Sequence, residues 1–181
     1  ASITIVKNGK ILICLELERL KKKKHVLGLE FSDVMEHMVI NPTWYVPRSI
    51  SVNEYLPELQ VDPTVHRYLT LFTPEDGSIV PREIVDFKSF DEENFPFEMK
   101  QLPSQSNALG LVKFMFPNQH NIYLHDTPHK LLFFKERRTF SHGCIRLQDP
   151  FEFAYALLTS QSGNPINDFH AILETGIETT V

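Results

Sequence analysis

Cysteine is scarce in this chain. The 181 residues hold two, Cys14 and Cys144. Two cysteines at unrelated positions make no disulfide framework. Long apolar runs are missing too: no stretch of about 18 such residues occurs, so nothing reads as a membrane-spanning helix. No signal-peptide pattern is read. The chain opens inside a strand-like pattern, and we read it as an excised domain or a mature fragment. An excess of positive charge is also lacking. The net charge is −5 and the pI about 5.9, which argues against a nucleic-acid binder with its basic face. One basic run exists, KKKKH at 21–25. It reads as a solvated hairpin tip in preference to a membrane or polyanion patch. No internal repeat or low-complexity segment is present.

What is there suits a soluble globular fold. Hydrophobic residues make up 42% and charged residues 23%, enough apolar material for a core without staples. The length fits one domain over 1–181, or a domain with a large insertion. Fourteen Phe and twelve Pro point to a strand-rich core with irregular connections.

Residues 3–7 and 10–17 read as strands joined by Asn8-Gly9, a hairpin turn in which both positions favour positive φ. Cys14 falls in the second strand and reads as a small core hydrophobe. Residues 34–41 are strand-like. Ser51 and Glu54 have capping-box spacing for a short helix that Pro57 limits. Residues 60–106 show little regular pattern beyond a turn at 73–78, and we read them as a functional lid. Strands are expected at 109–116, 120–125 and 130–134. A helix is expected at 149–158, with Asp149 as N-cap, Pro150 at the first position and Glu152 completing a capping-box-like pair.

The segment SHGCIRL, 141–147, carries candidate chemistry. A thiol attacks only as thiolate, so it needs a base or a positive charge nearby. His142 is two residues away, but Gly143 between them breaks a regular extended path. His125 ends another strand-like run. If that strand lies beside the one entering Cys144, at ~4.8 Å, the side chains meet. Gly143 allows a sharp turn that frees backbone N–H groups for an oxyanion. Arg146 returns to the side of Cys144 on a period-two strand and suits a carboxylate, or pairs with Asp149. Composition and spacing leave the thiol equally readable as core or as nucleophile. His125, His129, His142 and Cys144 are also conceivable zinc ligands, a reading that Pro128 weakens by breaking any helix through 125–129.

The segment HDTPHKLLFFKERRTFSHGCIRLQDPFEFAYALL, 125–158, resembles the signature of the L,D-transpeptidase (YkuD-type) catalytic domain. That signature is a His, a gap of about 14–17 residues, then Ser/Thr-His-Gly-Cys, an apolar residue and usually Arg. Here 15 residues separate His125 from Ser141. INPTWYVPRSI (40–50), NEYLP (53–57), NALGLVKFMFPN (107–118) and IYLHDTP (122–128) resemble the YcbB-like subgroup. KQLPSQSNALG departs from that subgroup's Arg-Gln-x-Pro-Gly, and the chain reads as truncated at both ends relative to the family.

The resemblance implies a mainly β fold with a few helices (α+β), a sandwich or barrel with a capping insertion at 60–106. It implies an enzyme that forms 3–3 cross-links in peptidoglycan. Cys144 is then the nucleophile, His125 the base, and the Asp126 carbonyl the group that orients it. N–H groups at His142, Gly143 and Cys144 receive the oxyanion. Arg146, Tyr123, Trp44, Asn107 and Ser141 meet substrate. No metal or cofactor is implied. The implied partners are peptide stems, met by a monomer in the periplasm or cell envelope. A hydrolase on the same site and a non-catalytic wall-binding relative are the alternatives.

Overall fold

A computed structural model describes residues 12–17, 29–119, 121–136, 140 and 143–181. The expected strand at 3–7, the Asn8-Gly9 turn and the lysine run lie outside the described residues, as does the side chain of Cys14. Strand β1 (Leu12–Leu17) pairs antiparallel with β2 (Leu29–Val34). Strand β3 (His37–Ile40) follows and starts the main sheet. Asn41 then turns the chain at φ +53°. The fold separates into two units, residues 1–42 with 104–181, and residues 43–103.

The 43–103 unit has regular structure where the sequence shows little. Strand β4 (Trp44–Tyr45) leads into α1 (Arg48–Ile50), a π turn at Ser51–Tyr55 and α2 (Leu56–Val61). Strands β5 (Thr70–Phe72), β6 (Ile79–Val80) and β7 (Glu98–Gln101) complete an antiparallel sheet of order β4-β7-β5-β6. The expected turn at 73–78 connects β5 to β6, with Thr73 N–H bonded to the Ser78 carbonyl at 3.0 Å. Leu56, Leu59, Leu71, Phe87, Phe95 and Met99 form the unit's own core.

The capping-box expectation fails here. The helical run starts four residues earlier, after Pro47, and Ser51 lies inside it. Pro57 does not end it. The wide π turn ends two residues before Pro57 and contains Asn53, the residue four back whose carbonyl the Pro57 ring would press on in a regular helix.

The chain returns to the first unit with β8 (Val112–Met115), β9 (Leu124–His125), β10 (Ile145–Arg146) and β11 (Thr179–Thr180), joined by α3 (Pro150–Leu158) and α4 (Pro165–Glu174). The sheet order is β10-β9-β8-β3-β11. All its pairs are antiparallel except β9 with β10. One face packs on the helices: Met38, Ile40, Val112, Phe114, Leu124 and Ile145 meet Ala154, Leu158 and Phe169. The architecture is α+β, as expected.

Two local expectations are corrected. Residues 130–134 form a 3-10 helix, not a strand. The apolar run there is not buried in a sheet: Leu131 is 77% and Phe134 83% exposed. The helix at 150–158 is where the sequence places it, but Asp149 makes no side-chain capping bond. Helix α4 has no counterpart in the sequence reading. Its signals are Asn164-Pro165 at the start and Phe169, Ile172 and Leu173 on the inner side. The Asn41 amide caps its far end, donating to the Ile172 and Leu173 carbonyls at 3.2 and 3.1 Å.

Candidate active site

Strands β9 and β10 decide which side chains share a face. Their parallel register sets Ile145 beside Leu124 and Arg146 beside His125. The Ile145 N–H bonds the Tyr123 carbonyl at 3.0 Å, and the Leu147 N–H bonds that of His125 at 2.8 Å. Leu124 and Ile145 enter the helix-covered core. Side chains alternate along a strand, so Tyr123, His125, Cys144 and Arg146 fall on the opposite face. Antiparallel pairing of β8 sets Lys113 beside His125 on that same face.

Cys144 is partly buried. Its sulfur receives the hydroxyl and the main-chain N–H of Tyr123 and feels the Lys113 ammonium, but burial dominates and pushes the thiol above its ordinary pKa. The thiol also lies 3.8 Å from the Asn121 carbonyl. Gly143 before it has φ +151°, a conformation that L side chains rarely adopt. A Cβ there would meet only Ile122 at 3.8 Å, so backbone conformation, not space, requires the glycine. Because Ile145 and Leu147 direct their N–H groups to β9, the alternation turns the Cys144 N–H to the outer side of β10.

His125 is 4% exposed. Burial pulls its pKa down to about 4, helped by the Arg146 charge and opposed by the Asp126 carbonyl. Its Nδ1 bonds that carbonyl. At neutral pH the imidazole is therefore uncharged. The bond to the Asp126 carbonyl favours the tautomer with its proton on Nδ1, and the Leu109 main chain also favours a ring N–H. The Tyr123 ring stands edge-on to it at 5.8 Å.

Asp126 is itself held on three sides. Its N–H bonds the Val112 carbonyl at 2.9 Å, and Oδ2 accepts from the Leu111 N–H at 2.9 Å. Oδ1 meets the Lys130 ammonium at 2.7 Å. Gly110, at φ +65°, presses against this carboxylate so closely that a Cβ would fall 2.3 Å from Oδ2.

Arg146 is half-buried, and burial lowers its pKa. Nη2 reaches the Phe140 carbonyl at 3.5 Å. Nε is buried and meets no hydrogen-bond partner among the described residues. It does not pair with Asp149 among the salt bridges of the described residues.

The remaining expected site residues divide. Ser141 and His142 lie outside the described residues. Trp44 belongs to the 43–103 unit, where its ring stands edge-on to Tyr55 at 6.3 Å. Asn107 lies in the loop before Gly110. It is 0% exposed, its amide donates to the Pro42 carbonyl at 3.1 Å, and its side-chain oxygen accepts from the Leu109 N–H at 2.8 Å. These bonds brace the loop leading to Gly110. Lys113 is the site-face residue that sequence reasoning missed. Alternation between core residues Val112 and Phe114 already sets it off the core face.

The YkuD family profile, the L,D-transpeptidase catalytic domain, matches residues 19–166. The chain belongs to this family. It is similar to a Haemophilus influenzae protein named "Putative L,D-transpeptidase", 35% identical over 127 residues. That match covers 68% of this chain and 25% of the relative, so the chain spans about a quarter of the length of that L,D-transpeptidase relative. Among the described residues, no helix is long and apolar enough to cross a membrane.

Proposed function

We propose that this chain catalyses L,D-transpeptidation, forming 3–3 cross-links between peptidoglycan peptide stems through a thioester on Cys144. The observation that carries the reading is the shared sheet face of Cys144, Tyr123 and His125. In this reading a tetrapeptide stem is the donor. The uncharged imidazole takes the thiol proton on Nε2 as the sulfur attacks the carbonyl carbon of the third stem residue. Burial disfavours a resting thiolate, so proton loss and attack are coupled. The Asp126 carbonyl fixes the tautomer that leaves Nε2 as acceptor, a main-chain counterpart of the third member of a triad.

The negative charge on the carbonyl oxygen is met by N–H groups at Gly143 and Cys144, with His142 the third candidate from the sequence. Each such donor is worth roughly 3–4 kcal/mol in acyl transfer. The imidazolium returns its proton to the departing amine, and the terminal D-Ala leaves. An amine of a second stem then attacks the thioester carbonyl, His125 takes its proton, and the sulfur is released. Arg146 supplies a guanidinium for a substrate carboxylate. That substrate places the protein in the periplasm or cell envelope.

Intact-protein mass after mixing with a tetrapeptide-stem muropeptide tests this. Wild type should gain an acyl adduct and yield cross-linked dimer, and Cys144→Ala should give neither. Turnover that survives the substitution overturns the assignment. Shortened stems without dimer would reassign the site to a hydrolase that uses water as acceptor.

A further inference from the structure

Lys113 sits where a lysine is costly. Strand β8 is an inner strand of the sheet, Lys113 is partly buried, and a partly buried ammonium loses hydration. An apolar side chain of similar length is accommodated on the same face two residues later, at Met115. The position thus has room for methionine, yet it holds a charge. The register sets Lys113 directly beside His125, and β9 sets Cys144 one strand further on. The ammonium lies 6.0 Å from the centre of the Tyr123 ring, the ring whose hydroxyl donates to the Cys144 sulfur.

We propose that Lys113 is a positioning residue for the nucleophile: its ammonium stabilises the Cys144 sulfur across the sheet face as the sulfur takes on negative charge. The catalytic consequence rests on the transpeptidase reading, but the effect on the thiol does not. The charged and titratable groups facing this pair are Tyr123 and His125 from β9, Arg146 from β10, His37 from β3 and Glu178 beside β11. Glu178 attracts the same ammonium and therefore competes with the sulfur for it. Arg146 adds positive charge on the same strand as Cys144, but its Nη2 is directed to the Phe140 carbonyl.

The test is the pH dependence of alkylation by iodoacetamide, read at Cys144 by peptide mass so that Cys14 does not interfere. Only the thiolate reacts, forming the S–C bond as iodide leaves. Lys113→Met should raise the midpoint and slow alkylation at pH 7 by about three- to tenfold. Lys113→Arg should recover most of that rate, since it restores charge without restoring shape. Glu178→Gln should move the midpoint the other way, with a rate gain of about twofold.

A folded Lys113→Met with the wild-type midpoint overturns the proposal. So does a Lys113→Arg as slow as the methionine variant. If Lys113→Met does not fold, Glu178→Gln decides: a lowered midpoint supports the proposal and an unchanged one overturns it. Shifted midpoints in a chain that forms no acyl adduct would keep this inference and sink the transpeptidase reading.

Discussion

Two arginines separate the two units by character. Arg82, in the 43–103 unit, donates to the carbonyls of Val65, His66 at 2.9 Å and Leu69 at 3.2 Å, with a longer contact to Pro63. Its guanidinium is used up by the protein's own backbone. Arg146, on the sheet face with Cys144, reaches the Phe140 carbonyl at 3.5 Å, and its buried Nε has no hydrogen-bond partner among the described residues. The same contrast runs through each unit. Arg48 and Gln60 serve carbonyls of the 43–103 unit. Lys113 and Tyr123 act on the Cys144 sulfur, and Arg146 shares their sheet face. Polar groups that satisfy a backbone hold a fold. Polar groups left with spare donors are held by it, ready for a ligand.

The sharpest way to break this contrast is to exchange function for stability at the two arginines. Arg146→Met should lower the rate of acyl-enzyme formation about a hundredfold. Its unfolding free energy should stay within about 1 kcal/mol of wild type. Paired mass-spectrometric rates and urea melts would check both halves, and a large stability loss would make Arg146 a second Arg82. Arg82→Met should do the reverse of that in stability. Orphaning its carbonyls should cost about 2–3 kcal/mol and lower Tm by several degrees, read by calorimetry.

A smaller, pH-dependent effect sharpens the comparison further. His125 has a folded pKa of about 4 against about 6.5 when unfolded. Between those values the unfolded chain binds more protons. Stability contributed by the neutral imidazole is therefore complete above about pH 6.5 and lost as pH falls through 4. The loss amounts to at most about 3 kcal/mol. His125→Gln should flatten that part of the curve. The same depression keeps the imidazole able to accept a proton well below pH 6, so the acid limb of acylation should lie near pH 4 and not near 6.5.

How much of this is legible without coordinates depends on the range of the interaction. The shared face of His125 and Cys144 is readable because a spaced motif marks both ends. Helix α3 is readable because Pro150 and its apolar spacing are local signals. The sheet of the 43–103 unit is not. Its strands are two to four residues long, too short to show alternation, and β4 pairs with β7 across more than fifty residues. The segment KLLFF reads as a strand because apolar runs imply burial, yet its exposed Leu131 and Phe134 do not supply it. Asn107 looks like a site residue beside a family motif. Only the partners of its amide reveal that it holds a loop. For Lys113, alternation gives the face, but no local pattern tells a solvent lysine from one turned across a sheet toward a thiol.

Gly110 differs from Gly77 and Gly176 in what surrounds it. All three have positive φ near +65° to +69°. A methyl group on either of the latter two would meet nothing within 4 Å, whereas at Gly110 it would enter the Asp126 carboxylate. The backbone of Asp126 holds the imidazole, so a position with no reactive atom governs where a proton can go. A library that diversifies the 107–111 loop will find that its most inert member is the one it cannot change, and the cost will show as a misplaced imidazole before it shows as a misfolded chain.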